Sequence, residues 1–447
     1  MKGFKRYERY KDSGVEWIGE IPEHWHFSRF KNFVKVINEK IEGNETNNNL
    51  QYVGLENIES FTGKLIEGTS ENFGEGISNI FYSTDVLFGK LRPYLAKVLL
   101  PSINGRCSTE LLVFRPIDNS LVDRTYLYYY CLSDGFINVV NSSTYGVRMP
   151  RANWDFISLL PFTVPSLREQ QAITNFLDQK TAKIDSLIAD KEKLIELLQE
   201  QRQAIITQAV TKGLDPNVPM KDSGVEWIGE IPEHWEVTKI KYVSRINHHA
   251  LSEDCDDDFE IQYIDIGGVD SNGQIIEIKK MRFGDAPSRA RRIVKDGDTI
   301  VSTVRTYLKA ITWVEKADDN LICSTGFAVL SPTKLINPQY LLFLMRSTQY
   351  IDEIVSRSVG VSYPAINSRD IGKIECLLPP YKEQKYIVDY INKKGKPLTD
   401  LIDCINEQIL KLKEYRQSLI TAAVTGKIDV RDYFNEGEEK EEQEEVS

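Results

Sequence analysis

Arginine and tyrosine recur together in this chain at matching places. Gly89-Lys-Leu-Arg-Pro-Tyr-Leu95 and Ser302-Thr-Val-Arg-Thr-Tyr-Leu308 put Arg92 beside Tyr94 and Arg305 beside Tyr307 in the same spacing. A guanidinium is a planar fork that donates two parallel hydrogen bonds, which suits both a phosphate and the edge of a guanine. Basic residues gather around both pairs. The stretch from Lys90 to Arg106 holds four basic residues and no acid. The stretch from Lys279 to Lys295 holds seven, Arg291 and Arg292 among them, against the single acid Asp285. The alternative is a solvated basic face, or pairing with the six acids of Glu253–Glu260.

Chemistry of the catalytic kind is harder to find. Leu378-Pro-Pro-Tyr381 approaches the polar-Pro-Pro-aromatic motif of amino-methyltransferases, but leucine stands where a polar acceptor must hold the target amine. The other copy reads Val164-Pro-Ser-Leu167. Gly74-x-Gly76 lacks the third glycine of a dinucleotide loop, and no G-x-x-x-x-G-K-[ST] cradle for ATP occurs. Neither H-E-x-x-H nor a C-x-x-C pair is present, so no metal site or cofactor is expected. The residues favour a binding protein over an enzyme. A purely structural coiled-coil protein is the third reading, and it leaves the arginine islands unexplained.

The elements that must position these residues come in two copies. Lys11–Trp25 and Lys221–Trp235 are the same fifteen residues, KDSGVEWIGEIPEHW. Further matches follow in order: Cys107-Ser-Thr-Glu with Cys323-Ser-Thr-Gly, Tyr145-Gly-Val-Arg-Met-Pro150 with Val359-Gly-Val-Ser-Tyr-Pro364, and Glu169-Gln170 with Glu383-Gln384. The chain is thus a pseudo-twofold internal repeat. The two ends of each copy are alike and the middles diverge, as expected if the ends meet a shared partner and the middles meet different ones.

The last part of each copy carries a heptad: Leu177, Ile184, Lys191, Leu198 and Ile205, then Ile391, Leu398, Ile405, Leu412 and Leu419. Pro397 suits a first turn and not a helix interior. The pattern therefore predicts helices over 168–179 and 181–212, and over 382–393 and 397–425, with the long pair packed antiparallel. The middles, 26–166 and 236–380, alternate strand-like runs with Gly/Pro/Asn breaks and read as mixed α/β. Expected strands include Ala96–Leu100, Thr299–Val304 and Lys309–Val314. Expected helices are Asp123–Leu132, Pro338–Arg346 and Tyr350–Ser356.

Composition fits this picture. The 447 residues are 41% hydrophobic and 10% aromatic, enough for several domains with cores. No apolar run of membrane-spanning length and no secretory leader is seen, and the scattered cysteines read as reduced thiols of a cytoplasmic protein. The net charge of −11 argues against nucleic acid only until the tail is set apart. Glu436–Ser447 holds seven Glu and one Lys and reads as a solvated, disordered run. A global charge does not exclude a local DNA-binding face.

The opening block of each half resembles the start of specificity subunits of type I restriction–modification systems. So do K-L-R-P-Y-L, C-S-T-E, P-S-L-R-E-Q and the long helix ending A-V-T. The resemblance covers roughly 10–430. It implies an α/β fold with two mixed α/β target-recognition domains separated by a pair of long antiparallel helices. The chain then divides into repeat block 1–25, first recognition domain 26–166, central helical region 167–219, second block 220–235, second recognition domain 236–378, C-terminal helical region 379–430 and acidic tail 431–447. The resemblance further implies two half-sites in double-stranded DNA and helices that fix their spacing. It also implies two modification subunits that bring S-adenosylmethionine, restriction subunits that use ATP, and no catalytic site on this chain. Charge and repeat position nominate Lys90, Arg92, Tyr94, Arg148, Arg291, Arg292, Arg305 and Tyr307 as DNA contacts. Arg148 matches Ser362 in the other copy, so that contact would differ between half-sites.

Overall fold

An apolar stripe along a helix has to be covered. In the computed structural model, the two long helices cover part of each other's stripe, and in the second unit recognition-domain residues such as Tyr340 and Leu344 join the same core. The structure describes residues 3–43, 50–66, 76–146, 149–252 and 254–434. It divides into two compact units, one of Met1–Lys191 with Asn406–Ser447, the other of Glu192–Ile405. Of the expected acidic tail, Arg431–Phe434 form a 3-10 turn, and residues 435–447 lie outside the described residues.

In the first unit, strands Val34–Ile37, Leu111–Pro116, Val86–Gly89 and Val98–Leu99 form an antiparallel sheet in that order. A second sheet runs Lys40–Gly43, Gly76–Phe81, Gly105–Cys107, Gln51–Val53, with the last pair parallel. Helices α1 (Arg124–Leu132), α2 (Asp134–Ser142) and α3 (Trp154–Ile157) follow, and strand Pro161–Val164 pairs with His26–Arg29 before the long helix α4 (Leu167–Lys212) begins. Asp123 caps α1 by accepting from the N–H groups of Thr125 and Tyr126, the role its residue type suits.

The second unit repeats the plan with α5 (Ile240–Val243), α6 (Pro338–Arg346), α7 (Thr348–Ser356), α8 (Ser368–Ile371) and the long α9 (Tyr381–Val424). Its first sheet orders Ser244–Ile246, Phe327–Pro332, Thr299–Ser302 and Ile311–Trp313 as before. Its second sheet keeps three equivalent strands, Glu260–Ile264, Leu321–Ser324 and Ala290–Ile293, and adds the fourth on the opposite edge. That added strand is Lys279–Arg282, whereas Lys40–Gly43 is the added strand of the first unit. The divergent middles thus keep a common core and differ at a sheet edge.

The long helices pack antiparallel within each unit. In the first, Arg416 Nε donates to Asp185 Oδ1 at 2.9 Å and Lys191 Nζ to Gln408 Oε1 at 2.6 Å. In the second, Ile206, Ala209 and Val210 of α4 share a core with Ile387, Val388 and Ile391 of α9. Each recognition domain is then tied to the far end of the other copy's helix. The Tyr126 hydroxyl donates to Thr163 O at 3.0 Å or Val424 O at 3.1 Å, and Tyr340 to Leu377 O at 3.2 Å or Val210 O at 3.4 Å.

The duplicated fifteen residues are packing elements. Each forms a small hairpin, Tyr10–Asp12 with Glu20–Pro22 and Met220–Asp222 with Glu230–Pro232. Ile18, Ile21 and Trp25 are buried, as are Ile228, Ile231 and Trp235. Trp25 Nε1 and His24 Nε2 lie 3.4 and 2.8 Å from Glu169 Oε1 at the start of α4. Trp235 Nε1 donates to Glu383 Oε1 at 3.0 Å, and His234 Nε2 lies 2.7 Å from Glu383 Oε2, at the start of α9. The same block covers the other helix's end. Gly426, in the left-handed region at φ +70, follows α9, and a Cβ there would come 2.3 Å from Pro22 Cδ. Gly213, at φ +76, follows α4 beside Trp235.

Three sequence expectations need correction. Residues 168–179 and 181–212 form one helix, and 382–393 and 397–425 form another with Pro397 inside it. Proline removes one backbone donor and crowds the preceding turn. The turn holds because its apolar neighbours Ile391 and Ile405 are buried, and the Thr399 hydroxyl donates to Gly395 O at 3.2 Å. Second, Ala96 and Lys309 do not start strands, because both have positive φ. Third, α7 begins at Thr348, and its partner α2 lacked a recognised signal.

Pro397→Ala is expected to stabilise the chain by roughly 1–3 kcal/mol, since alanine restores the donor and the helix propensity. A urea or thermal unfolding midpoint reads this directly. An unchanged or lower midpoint would contradict the cost assigned to this proline.

Candidate nucleic-acid interface

Strands Val86–Gly89 and Thr299–Ser302 are fully buried in their first sheets, so the residues that follow are delivered from a rigid base. Each is followed by a short 3-10 turn, Pro93–Leu95 and Thr306–Leu308. The turns begin on Arg92 (φ 51, ψ 62) and Arg305 (φ 50, ψ 51) and end on Ala96 (φ 45) and Lys309 (φ 57). None of the four is glycine. A left-handed L-residue costs on the order of 1–2 kcal/mol, so the strain is stored twice in each turn.

A second loop holds each turn in place. Arg92 N–H donates to Pro150 O at 2.8 Å and Arg305 N–H to Pro364 O at 2.7 Å. The loops are closed by reciprocal backbone bonds, Tyr145 with Arg151 and Val359 with Ala365. Gly146 and Gly360 have positive φ, which lets the chain turn back. The Thr306 and Ser358 hydroxyls, 2.8 Å apart, add a further tie in the second unit.

The outer surface of these paired loops is apolar and aromatic. Tyr94, Tyr145 and Met149 are exposed in the first unit, and Tyr307, Val359, Val361 and Tyr363 in the second. The Arg305 guanidinium lies 4.6 Å over the Tyr363 ring, which orients its fork without neutralising it. In the first unit Arg151 makes a paired contact with Glu110, Nε–Oε2 3.0 Å and Nη2–Oε1 3.1 Å. The repeat mates Ala365 and Gly326 offer neither charge. Such a surface combines charge-assisted donors with faces able to stack or to touch a thymine methyl.

The structure brings Lys90, Arg92 and Tyr94 to one turn, and Arg305 and Tyr307 to the other. Lys90 is half-buried, and its backbone is held between Glu110 O and Ala152 N–H. Arg148 lies outside the described residues. Arg291 and Arg292 stand apart on the edge strand Ala290–Ile293, at a β-bulge. Arg291 covers the Phe283 ring at 4.5 Å, and Arg292 Nε is buried with no hydrogen-bond partner among the described residues. Two other members of the basic islands turn inward. Arg106 is buried over Tyr52, and Lys97 Nζ donates to Leu55 O at 2.8 Å, its pKa lowered by burial. Of the acidic run, Asp258 pairs with Arg282 at 3.0 Å. Tyr145, Met149, Arg151, Val361 and Tyr363 were not singled out from sequence, although the matched Gly-Val loops already marked the place.

Among the described residues no group of three or more His, Cys, Asp or Glu is placed to hold a metal, and no helix is long and apolar enough to cross a membrane.

The model of the type I restriction modification DNA specificity domain matches residues 22–197 and 232–411, one match in each copy. The chain belongs to the type I restriction–modification specificity-subunit family. Within it, the MjaVIII specificity subunit of Methanocaldococcus jannaschii is 24% identical over 427 residues, covering 92% of this chain and 94% of its own length. The putative MjaX specificity subunit of the same organism is 25% identical over 445 residues, with 93% and 96% covered. The EcoDI specificity subunit of Escherichia coli is 27% identical over 195 residues, 43% of each chain. A chain solved in work on complex assembly and conformational transition of the type I R-M system shares the fold, with a TM-score of 0.63 at 18% identity, over 90% of this chain and 98% of that one. This chain is accordingly a DNA specificity subunit, itself non-catalytic.

Arg92→Gly and Arg305→Gly in this specificity subunit should move stability and DNA affinity in opposite directions. Glycine relieves the left-handed strain, by about 1 kcal/mol each, and removes the guanidinium. Unfolding midpoints and DNA titrations on the same samples check this. A fall in both quantities would show that the arginines serve packing.

Proposed function

We propose that the two recognition domains, 26–166 and 236–378, each read one half of a bipartite, asymmetric sequence in double-stranded DNA. The observation that carries this reading is the strained turn and its bracing loop. The backbone device recurs in both units, while the side chains it presents differ. Equal frameworks with unequal tips suit two different half-sites. Lys90, Arg92, Tyr94 and Arg148 would serve one half-site and Arg305 and Tyr307 the other, joined by Tyr145, Met149, Val361 and Tyr363. Arg291 and Arg292 remain candidates for backbone phosphate from the edge strand.

The long helices would act as the spacer between half-sites, since half-site separation is set by protein geometry. A helix of 46 residues such as α4 spans about 69 Å. Two modification subunits would dock on the elements common to both copies and bring S-adenosylmethionine. Restriction subunits would bring ATP-driven cleavage, and the whole complex would work in the cytoplasm.

Arg305→Ala tests the reading in the assembled methyltransferase. A phosphate contact predicts weaker binding to every DNA and a smaller salt slope, and a base contact predicts one relaxed position worth about 1–3 kcal/mol. Unchanged affinity on all DNA would remove Arg305 from the interface. The spacer is tested by inserting four residues, about one turn, after Lys191 and after Glu407. These positions fall at one level, because Lys191 bonds Gln408. The methylated sequence should keep both half-sites and change its spacer. Altered half-sites with the old spacer would refute the ruler.

A further inference from the structure

A cavity of about 950 Å³ lies where α4 meets the recognition domain of the second unit, lined by Arg202, Gln203, Ser271, Lys309, Arg346 and Thr348 among others. Arg346 Nη1 donates to Ile311 O at 3.1 Å and Nη2 to Ser271 O at 3.3 Å. These carbonyls fix the guanidinium without an ion pair. Among the described residues no carboxylate lies within ion-pair distance of Arg346 or Arg202. Burial and then the neighbouring Arg202 push the Arg346 pKa down to about 10, against a smaller opposing pull from Asp270. Glu196 and Glu200 also line the space, and Glu196 is held by Lys193 at 2.9 Å.

In the first unit the matching arginine lines a cavity of about 600 Å³ that carries its own counter-charge. Arg416, the repeat mate of Arg202, is 5% exposed, with Asp185 at 2.9 Å and Phe61 O at 2.9 Å. Lys64 joins the same carboxylate at 3.2 Å. In the second copy the mate of Asp185 is Thr399, and Arg346 stands where the first copy has Leu132. One substitution removes the anion and the other adds a cation. A guanidinium taken from water without a partner is costly, so the second cavity is built to receive an anion.

We propose that this cavity takes a backbone phosphate of the bound DNA, held by Arg202, Arg346 and Lys309. The proposal rests on the DNA-reading function above. Its link to DNA is Lys309, which ends the same turn that carries Arg305 and Tyr307. The contact is confined to the second half of the chain, so it anchors DNA on one side only and adds no base preference.

The test uses the specificity subunit assembled with its methyltransferase partners, with DNA affinity measured across a salt series. Arg202→Gln and Lys309→Gln should each weaken binding to target and non-target DNA several-fold alike. Each should also reduce the slope of log affinity against log salt by about one, with the methylated sequence unchanged. Both side chains can be removed without breaking a described hydrogen bond, and unfolding midpoints confirm the fold. Wild-type slopes in both variants overturn the proposal, as does a relaxed base position. Inorganic phosphate is the other arm. If it stabilises the wild-type chain without DNA, Arg202→Gln abolishes that effect and the DNA slopes stay wild-type, then the site holds a free anion and the DNA assignment is wrong. Failure of the wild-type complex to prefer any DNA sequence would instead strike the proposed function itself.

Discussion

Each unit depends on one clamp: a tryptophan indole and a histidine held on a glutamate that opens a long helix, over the glycine that closes the opposite one. Glu169 with Trp25 and His24, and Glu383 with Trp235 and His234, are the two examples. The indole fills the space beside Gly426 or Gly213, so the end of one helix is fixed against the start of the other. Truncating a buried tryptophan of this kind costs on the order of 3–5 kcal/mol. The tyrosine hydroxyls of Tyr126 and Tyr340 then tie the recognition sheets to the same helix ends. Ile18, Ile21 and Trp25, with Ile228, Ile231 and Trp235, make the same packing in both copies, while Lys11, Glu16 and Glu23 are identical yet exposed.

With that frame fixed, variation is free at the periphery. The second sheets keep three strands and place the fourth on opposite edges. The turns keep the same two left-handed positions while the tips change from Met149 to Tyr363 and from Arg151 to Ala365. The strain at Arg92 and Arg305 is held in place by the Pro150 and Pro364 carbonyls behind the turns. A rigid platform with replaceable tips is what discrimination between sequences requires.

Much of this was legible in the sequence. The repeat gave the copy number, the heptad gave the antiparallel pair, and Asp123 and the Pro338–Arg346 run gave α1 and α6. Local rules failed where packing overrode them. Pro397 signals a helix boundary, yet burial along the seam carries the helix through it. Lys97 and Arg106 read as surface charge, because nothing in their types announces the Leu55 carbonyl or the Tyr52 ring that receives them. The left-handed Arg92 and Arg305 were invisible for the opposite reason, since that conformation is normally the mark of glycine. The loop residues Val361 and Tyr363 were visible as a match but carried no charge to draw notice.

In the proposed function, two unlike recognition domains on one frame read two unlike half-sites at a fixed distance. Mapping methylated adenines in the DNA of cells that express the complete system tests it most directly. A single bipartite motif with two different half-sites, separated by a constant number of unspecified bases, is expected. A continuous or palindromic motif, or a spacer that varies from site to site, would contradict it.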